Sequence, residues 1–185
     1  MYPGTCRTGT DAAEFAVRVR TDNEPVCFDD RLQGRHCQAL ESESGDFVVL
    51  RRDGLIAYHL AVVVDDADQR ISEVVRGVDL LDSTPRHIHL QRLLGLPTPR
   101  YLHIPVAVHP DGQKLSKLTG ALALPCDDPR PLLIRAFKAL ELGVPTELAA
   151  CTLSDLWQWA IANWDVTRLR GQVQIPGHTD SMAAH

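Results

Sequence analysis

In the first third of the chain, apolar residues recur only in short stretches, each closed by turn residues. FAVRVR (15–20), PVCF (25–28) and HCQAL (36–40) read as short strands, separated by TDNE and DDRLQG, with Asp29, Asp30 and Gly34 at the turns. ESESGD (41–46) reads as a loop. FVVLRR then meets Asp53-Gly54 and LIAYHLAVVVDD, and two apolar runs joined by Asp-Gly predict a β-hairpin. The second run is almost wholly apolar from Leu55 to Val64, which predicts a strand covered on both faces. EVVRG (73–77) predicts another buried strand. Ser83 or Thr84 then caps a helix that has Pro85 in its first turn and stops at Gly95. YLHIPVAVHP (101–110) is a further buried strand, and Asp111-Gly112 turns it into a loop holding Lys114, Leu115, Ser116 and Lys117.

Beyond Gly120 the pattern changes period. ALALPCDDPR is a linker; PLLIRAFKALELG then places Leu133, Phe137 and Leu140 on one helical face and ends at Gly143 and Pro145. TLSDLWQWAIANW predicts a second helix, whose stripe of Leu153, Leu156, Trp157, Ala160, Ile161 and Trp164 is expected to be core. The tail after Ile175 is expected to be unstructured.

The totals narrow the classes. With 185 residues, 44% hydrophobic and 23% charged, the chain can bury a core. A net charge of −5 gives no overall attraction to nucleic acid, so any RNA contact must come from a local basic patch. No apolar run approaches the ~20 residues that span a bilayer, and no basic segment leads into an apolar one at the N-terminus. Five cysteines, odd in number and widely spaced, do not make a disulfide framework, which suits a reducing cytoplasm.

The sharpest chemistry lies at 76–120, where a polar turn, a helix, a strand and a lysine loop follow one another. That order suits a nucleotide site in the crevice beyond the strand ends of an α/β sheet. Two ammonium groups on a loop can neutralise charge on a departing phosphoryl group. An arginine such as Arg76 can grip a carboxylate with two prongs, or can simply form a surface ion pair; Tyr58 can contact a substrate or be a core tyrosine with a satisfied hydroxyl. His87 and His89 are two apart on a helix and diverge by roughly half a turn, so they do not share a metal ion. Cys27 and Cys37 follow no metal spacing.

VRGVDLLDSTPRHIHLQRLLGLPTPRYLH, followed by PDGQKLSK, resembles the class I glutamyl-type aminoacyl-tRNA synthetases, whose mobile signature loop reads KLSK or KMSK. The match is closest to their truncated paralogues, the glutamyl-queuosine tRNA(Asp) synthetases. It extends upstream through FVVLRRDGLIAYHLAVVVDDADQ to YPGTCR and so covers nearly the whole chain.

The resemblance implies an α/β fold: the C-terminal half of a class I synthetase Rossmann-type nucleotide-binding domain with a small β-rich insertion and a short C-terminal helical region. Residues 1–45 would be the remnant of the zinc-binding insertion, 46–120 the second half of the nucleotide-binding domain, and 121–185 the helical region and tail. Tyr58 and Arg76 would hold glutamate, Lys114 and Lys117 would act on the phosphates, and Ser116 and Lys117 would contact ATP. Tyr2 and Cys6 match the last two ligands of a zinc site whose first two cysteines would lie upstream. The implied ligands and partners are glutamate, ATP with Mg, zinc and tRNA(Asp), for a monomeric cytoplasmic ligase.

Nothing in the chain resembles the family's HIGH-like motif, and the 68 residues after Lys117 are short for a large helical anticodon-binding domain. A C-terminal portion of a synthetase is therefore expected, with no ATP–pyrophosphate exchange by this polypeptide alone; robust exchange would refute that. The alternatives are a glutamyl-tRNA synthetase fragment that charges tRNA, or a non-catalytic RNA- or nucleotide-binding remnant.

Overall fold

The computed structural model describes residues 2–116 and 127–177, and the chain divides into two compact units, Met1–His103 and Ile104–His185. In the first unit β1 (Val17–Val19) pairs antiparallel with β4 (Phe47–Leu50). β2 (Pro25–Asp30) and β3 (Gly34–Ala39) form an antiparallel hairpin, and β5 (Glu73–Gly77) pairs with β6 (Arg100–Ile104). Segment 41–46, read as a loop, begins inside a short helix, α1 (Leu40–Glu43).

The hairpin register sets Cys27 directly opposite Cys37 and the two are disulfide-bonded, with Cα atoms 4.1 Å apart. This corrects the expectation of a chain without disulfides. A spacing of ten residues matches no framework, and only the pairing of β2 with β3 makes the two cysteines neighbours.

The predicted hairpin at Asp53-Gly54 is corrected as well. The turn forms, with Gly54 at φ +80° and Leu50 bridged to Ile56. The chain then turns into α2 (Tyr58–Asp68) instead of continuing as a strand. An uninterrupted apolar run cannot by itself separate a buried strand from a helix. Here Val63 is buried, Leu60 and Val62 pack beside it and Val64 is exposed, which is helical and one-sided, not the burial on both faces that was expected.

α3 (Thr84–Leu94) is the spine of this unit. Ile88 joins Val26, Leu40 and Tyr101 in one apolar cluster, while Leu90, two residues on, joins Phe47, Val49 and Val63 in another. Because α3 carries buried groups on opposite sides, its polar positions Thr84, His87 and Gln91 are also taken out of water and must find partners inside the protein. The expected cap at Ser83 or Thr84 does not form. A 3-10 helix (Val78–Ser83) runs straight into α3, Ser83 is already helical, and neither hydroxyl caps. Gly95 ends the helix at φ +65°, as expected of a left-handed stop. β5 is only partly buried, Val75 being exposed, so the fully covered strand expected at 73–77 is not found.

The N-terminal segment is tied down by Arg7, whose guanidinium donates to both carboxylate oxygens of Asp46 at 2.7 Å and to Glu41 at 2.7 Å. Arg7 holds the Asp46 carboxyl well below the usual carboxylate range.

The strand expected at 101–110 is broken at Pro105, and β7 (Val106–Val108) pairs parallel with β8 (Gln174–Pro176), of which only Pro176 falls in the tail expected to be unstructured. Gly112 at φ +82° turns the chain so that Lys114 bridges back to Val108. α4 (Arg130–Ala139) and α5 (Leu153–Asn163) follow. Thr152 and Asp155 close a capping box at the start of α5. The stripe on α5 is core only in part: Leu156 and Ala160 are buried against Phe137 and Leu142. Leu153, Trp157, Ile161 and Trp164 remain exposed. Among the described residues no helix is long and apolar enough to cross a membrane.

Candidate active site

Arg76 lies at the end of β5 and is the hub of a polar network. Its Nε donates to His103 Nε2 at 3.0 Å. One terminal nitrogen reaches His87 Nδ1 at 3.3 Å, and the other donates to the Leu80 carbonyl at 3.2 Å and the Thr84 hydroxyl at 2.8 Å. Beyond His103, its Nδ1 meets the Asp30 carboxylate at 2.7 Å, with both side chains fully buried. Beyond His87, its Nε2 meets His59 Nδ1 at 3.0 Å. The Tyr58 ring packs edge-on against both His59 and His87.

An arginine only donates, and this orders every ring proton in the network. His103 must accept at Nε2, so its proton sits on Nδ1 and is given to Asp30. His87 must accept at Nδ1, so its proton sits on Nε2 and is given to His59 Nδ1, leaving the His59 proton on Nε2. Both relays therefore run outward from one cation through neutral imidazoles. Arginine has five N–H donors; the four bonds described occupy four of them. A ligand carboxylate thus meets one N–H directly, and the two-pronged grip considered for Arg76 requires one internal partner to be released.

The titration behaviour follows from burial and this cation. His87 is pushed down to about 3, first by burial and then by Arg76. His59 is also lowered, by burial first, then by Arg86 and Arg76. For Asp30 burial pushes the carboxyl up, but the His103 bond and the N–H groups of Gln33, Leu32 and His103 together outweigh it, and the net direction is down.

A histidine that is protonated near 6.5 when unfolded but near 3 when folded opposes folding in acid. Between those values the unfolded chain binds the extra proton, so stability falls as pH falls, by up to ~1.4 kcal/mol per pH unit. His87→Gln keeps an acceptor for Arg76 and a donor for His59 but cannot titrate. It is expected to flatten the loss of stability between pH 6.5 and 4 in urea unfolding. Identical slopes in the two proteins would remove His87 from this role.

The structure brings Tyr58 and Arg76 to one site, with His87 touching both. Tyr58 is half-exposed and so is not the core tyrosine considered from sequence. Lys114 and Ser116 lie in the second unit, on the hairpin that follows β7, and Lys117 lies outside the described residues. Tyr2 and Cys6 are neighbours through a 2.7 Å bond from the Cys6 N–H to the Tyr2 hydroxyl. Two donors are half of a tetrahedral zinc set, and among the described residues no group of three or more His, Cys, Asp or Glu is placed to hold a metal.

Sequence reading missed four members of the network and misread a fifth. No motif marks His59, Thr84, His87 or His103 as members, and the sequence around Asp30 indicates only a turn. Asp30 does close the β2–β3 turn through the N–H groups of Leu32 and Gln33, but it is also buried against His103. Asp29 points the other way, to Arg35. One signal was available: Thr84, His87 and Gln91 recur at i, i+3 and i+7, a polar stripe along one face of the helix. The separation of His87 from His89 holds, since His87 is buried while His89 reaches the Arg20 carbonyl.

A half-buried arginine is thus relayed into a sheet-and-helix core beside an exposed tyrosine, and family comparison gives the class of the chain that carries it. The family model of class I tRNA synthetases (E and Q), catalytic domain, matches residues 6–156, and the chain belongs to that family. More particularly, it is similar to the glutamyl-Q tRNA(Asp) synthetase of Pseudomonas syringae pv. tomato, with 50% identity over 176 residues, covering 95% of this chain and 60% of that protein. With the glutamyl-Q tRNA(Asp) synthetase of Cupriavidus metallidurans the identity is 52% over 190 residues, covering 99% of this chain and 59% of the relative. The chain thus spans about 60% of the length of these relatives. The crystal structure of glutamate-tRNA synthetase from Elizabethkingia anophelis shares the fold, with a TM-score of 0.66 at 20% identity over 89% of this chain and 37% of that one.

Proposed function

We propose that this chain carries the glutamate-recognition part and the lysine loop of an ATP-dependent ligase that acylates the queuosine base of tRNA(Asp). Glutamate and ATP, with magnesium accompanying the triphosphate, would give glutamyl-adenylate and pyrophosphate, and the acyl group would then pass to an RNA hydroxyl. The observation that carries the reading is Arg76 beside Tyr58 at one site, in a chain of this family. Arg76 supplies fixed positive charge for an amino-acid carboxylate, and its buried relays keep the guanidinium from turning away. The half-exposed Tyr58 supplies a hydroxyl at the open side.

Lys114, with Ser116 and Lys117, would hold ATP phosphates, where catalysis is mainly positioning and charge stabilisation. Zinc at Tyr2 and Cys6 would need two further ligands. The cytoplasm, where ATP and tRNA are found, is the proposed location, with the protein acting as a monomer.

Titrating L-glutamate into the 15N-labelled chain tests the recognition half of this proposal. Selective shifts at the Arg76 Nε–H and the ring nitrogens of His87, weaker with L-aspartate and L-glutamine, are expected. No response, or the same response to all three amino acids, would sink it.

A further inference from the structure

β1 turns Val19 inward, against the cluster of Phe47, Val49, Val63 and Leu90. Side chains alternate along a strand, so Arg18 and Arg20 project from the opposite face, and both are exposed. Their Cα atoms are about 6.6 Å apart at ~3.3 Å per residue. Arg52, just past the paired strand β4, is also exposed. All three line one cleft of about 410 Å³, together with Tyr2, Arg7, Glu14 and Asp46.

The charges in this cleft are unequally engaged. Arg7 and Asp46 neutralise each other. Arg18 gives one N–H to the Asp46 carbonyl and lies over the Tyr2 ring at 4.2 Å, which fixes its guanidinium in the cleft. Among the described residues, the guanidinium groups of Arg20 and Arg52 make no hydrogen bond or ion pair. Glu14 is the one carboxylate set against them. With the Arg7–Asp46 pair set aside, the cleft lining leaves three arginines against Glu14, in a chain whose net charge is −5.

We infer that this cleft seats the phosphodiester backbone of RNA. An overall negative chain repels RNA, so contact must be made where positive charge is concentrated. Arginine forks match phosphate oxygens, and exposed guanidinium groups that make no internal bonds bind without breaking any. Contacts of this kind position an RNA and carry no base sequence. The inference rests on the RNA-acylating reading above but concerns different residues from the glutamate site.

The test is fluorescence anisotropy of a labelled RNA stem-loop with the full chain across a salt series. Arg20→Ala/Arg52→Ala removes only side chains without internal bonds, so it should melt like the wild type while weakening RNA binding by ~10-fold or more. The slope of log K against log salt should shrink by roughly 0.7–0.9 per arginine removed. Adding Arg18→Ala should weaken binding further, and Glu14→Gln should tighten it. Arg70→Ala/Arg92→Ala removes the same charge from elsewhere in this unit and should change little.

RNA binding by the wild type that the Arg20/Arg52 variant leaves intact would overturn this inference while leaving the RNA-acylating reading standing. Equal losses in both double variants would overturn it too, leaving only a net-charge effect. Polyglutamate competing as well as RNA would exclude a phosphate-specific seat, and no RNA binding by the wild type would overturn both readings.

Discussion

Asp30→Ala is expected to destabilise the chain by about 3 kcal/mol or more, since removing the acceptor from a buried donor costs ~1–3 kcal/mol and this carboxylate serves several. The carboxylate accepts from His103 Nδ1 and from the N–H groups of Leu32, Gln33 and His103. Alanine leaves those buried donors without a partner. Asp30→Asn sharpens the test. Oδ1 of Asp30 takes the three backbone donors and Oδ2 takes the imidazole. An asparagine has only one acceptor oxygen, so either orientation aims its NH₂ at a donor. His103 cannot relieve the clash by moving its proton to Nε2, because that nitrogen faces the Arg76 N–H. Asparagine should therefore cost well over 1 kcal/mol despite its matching shape. Urea unfolding at pH 7 measures both variants; an asparagine variant within ~0.5 kcal/mol of wild type would break the tautomer argument.

Arg76→Lys is expected to lower glutamate affinity by ~100-fold, in line with ~1.5–3 kcal/mol for a hydrogen bond to a charged group. Lysine keeps the charge, but three donors on one nitrogen cannot span His103, His87, Thr84 and the Leu80 carbonyl at once. The ammonium would settle on part of the network and leave the ligand side unserved. Calorimetric titration with L-glutamate gives the affinity, and a melting curve shows whether the variant still folds. Ring 15N shifts should also show His87 and His103 released from their single tautomers. Wild-type affinity in a folded Arg76→Lys protein would show that charge alone recognises the carboxylate.

Much of the chain was readable where one local rule had no competitor. Gly95 and Gly112 adopt the left-handed conformations their neighbours demand. β2 and β3 begin and end close to where turn residues put them, and α4 begins where periodicity puts it but stops at Ala139, short of the Gly143 and Pro145 expected to end it. The misreadings fall where a local rule had a rival. Asp53-Gly54 does make its turn, yet the run after it becomes α2, because a uniformly apolar sequence does not say which side will be covered. On α5 the stripe was real, but α4 covers only the part centred on Leu156 and Ala160.

The site divides the same way. Tyr58 and Arg76 were marked by motif, since residue types at a set spacing are a one-dimensional property. Asp30, His59, His87 and His103 come from four separate elements, up to 73 residues apart. Their roles depend on β2, α2, α3 and β6 being packed around one guanidinium. Linear order carries strand and helix preference, turn chemistry and family motifs. Which buried imidazole accepts and which donates is set only after folding, when a donor-only arginine has been enclosed and every polar group near it must find a complementary partner.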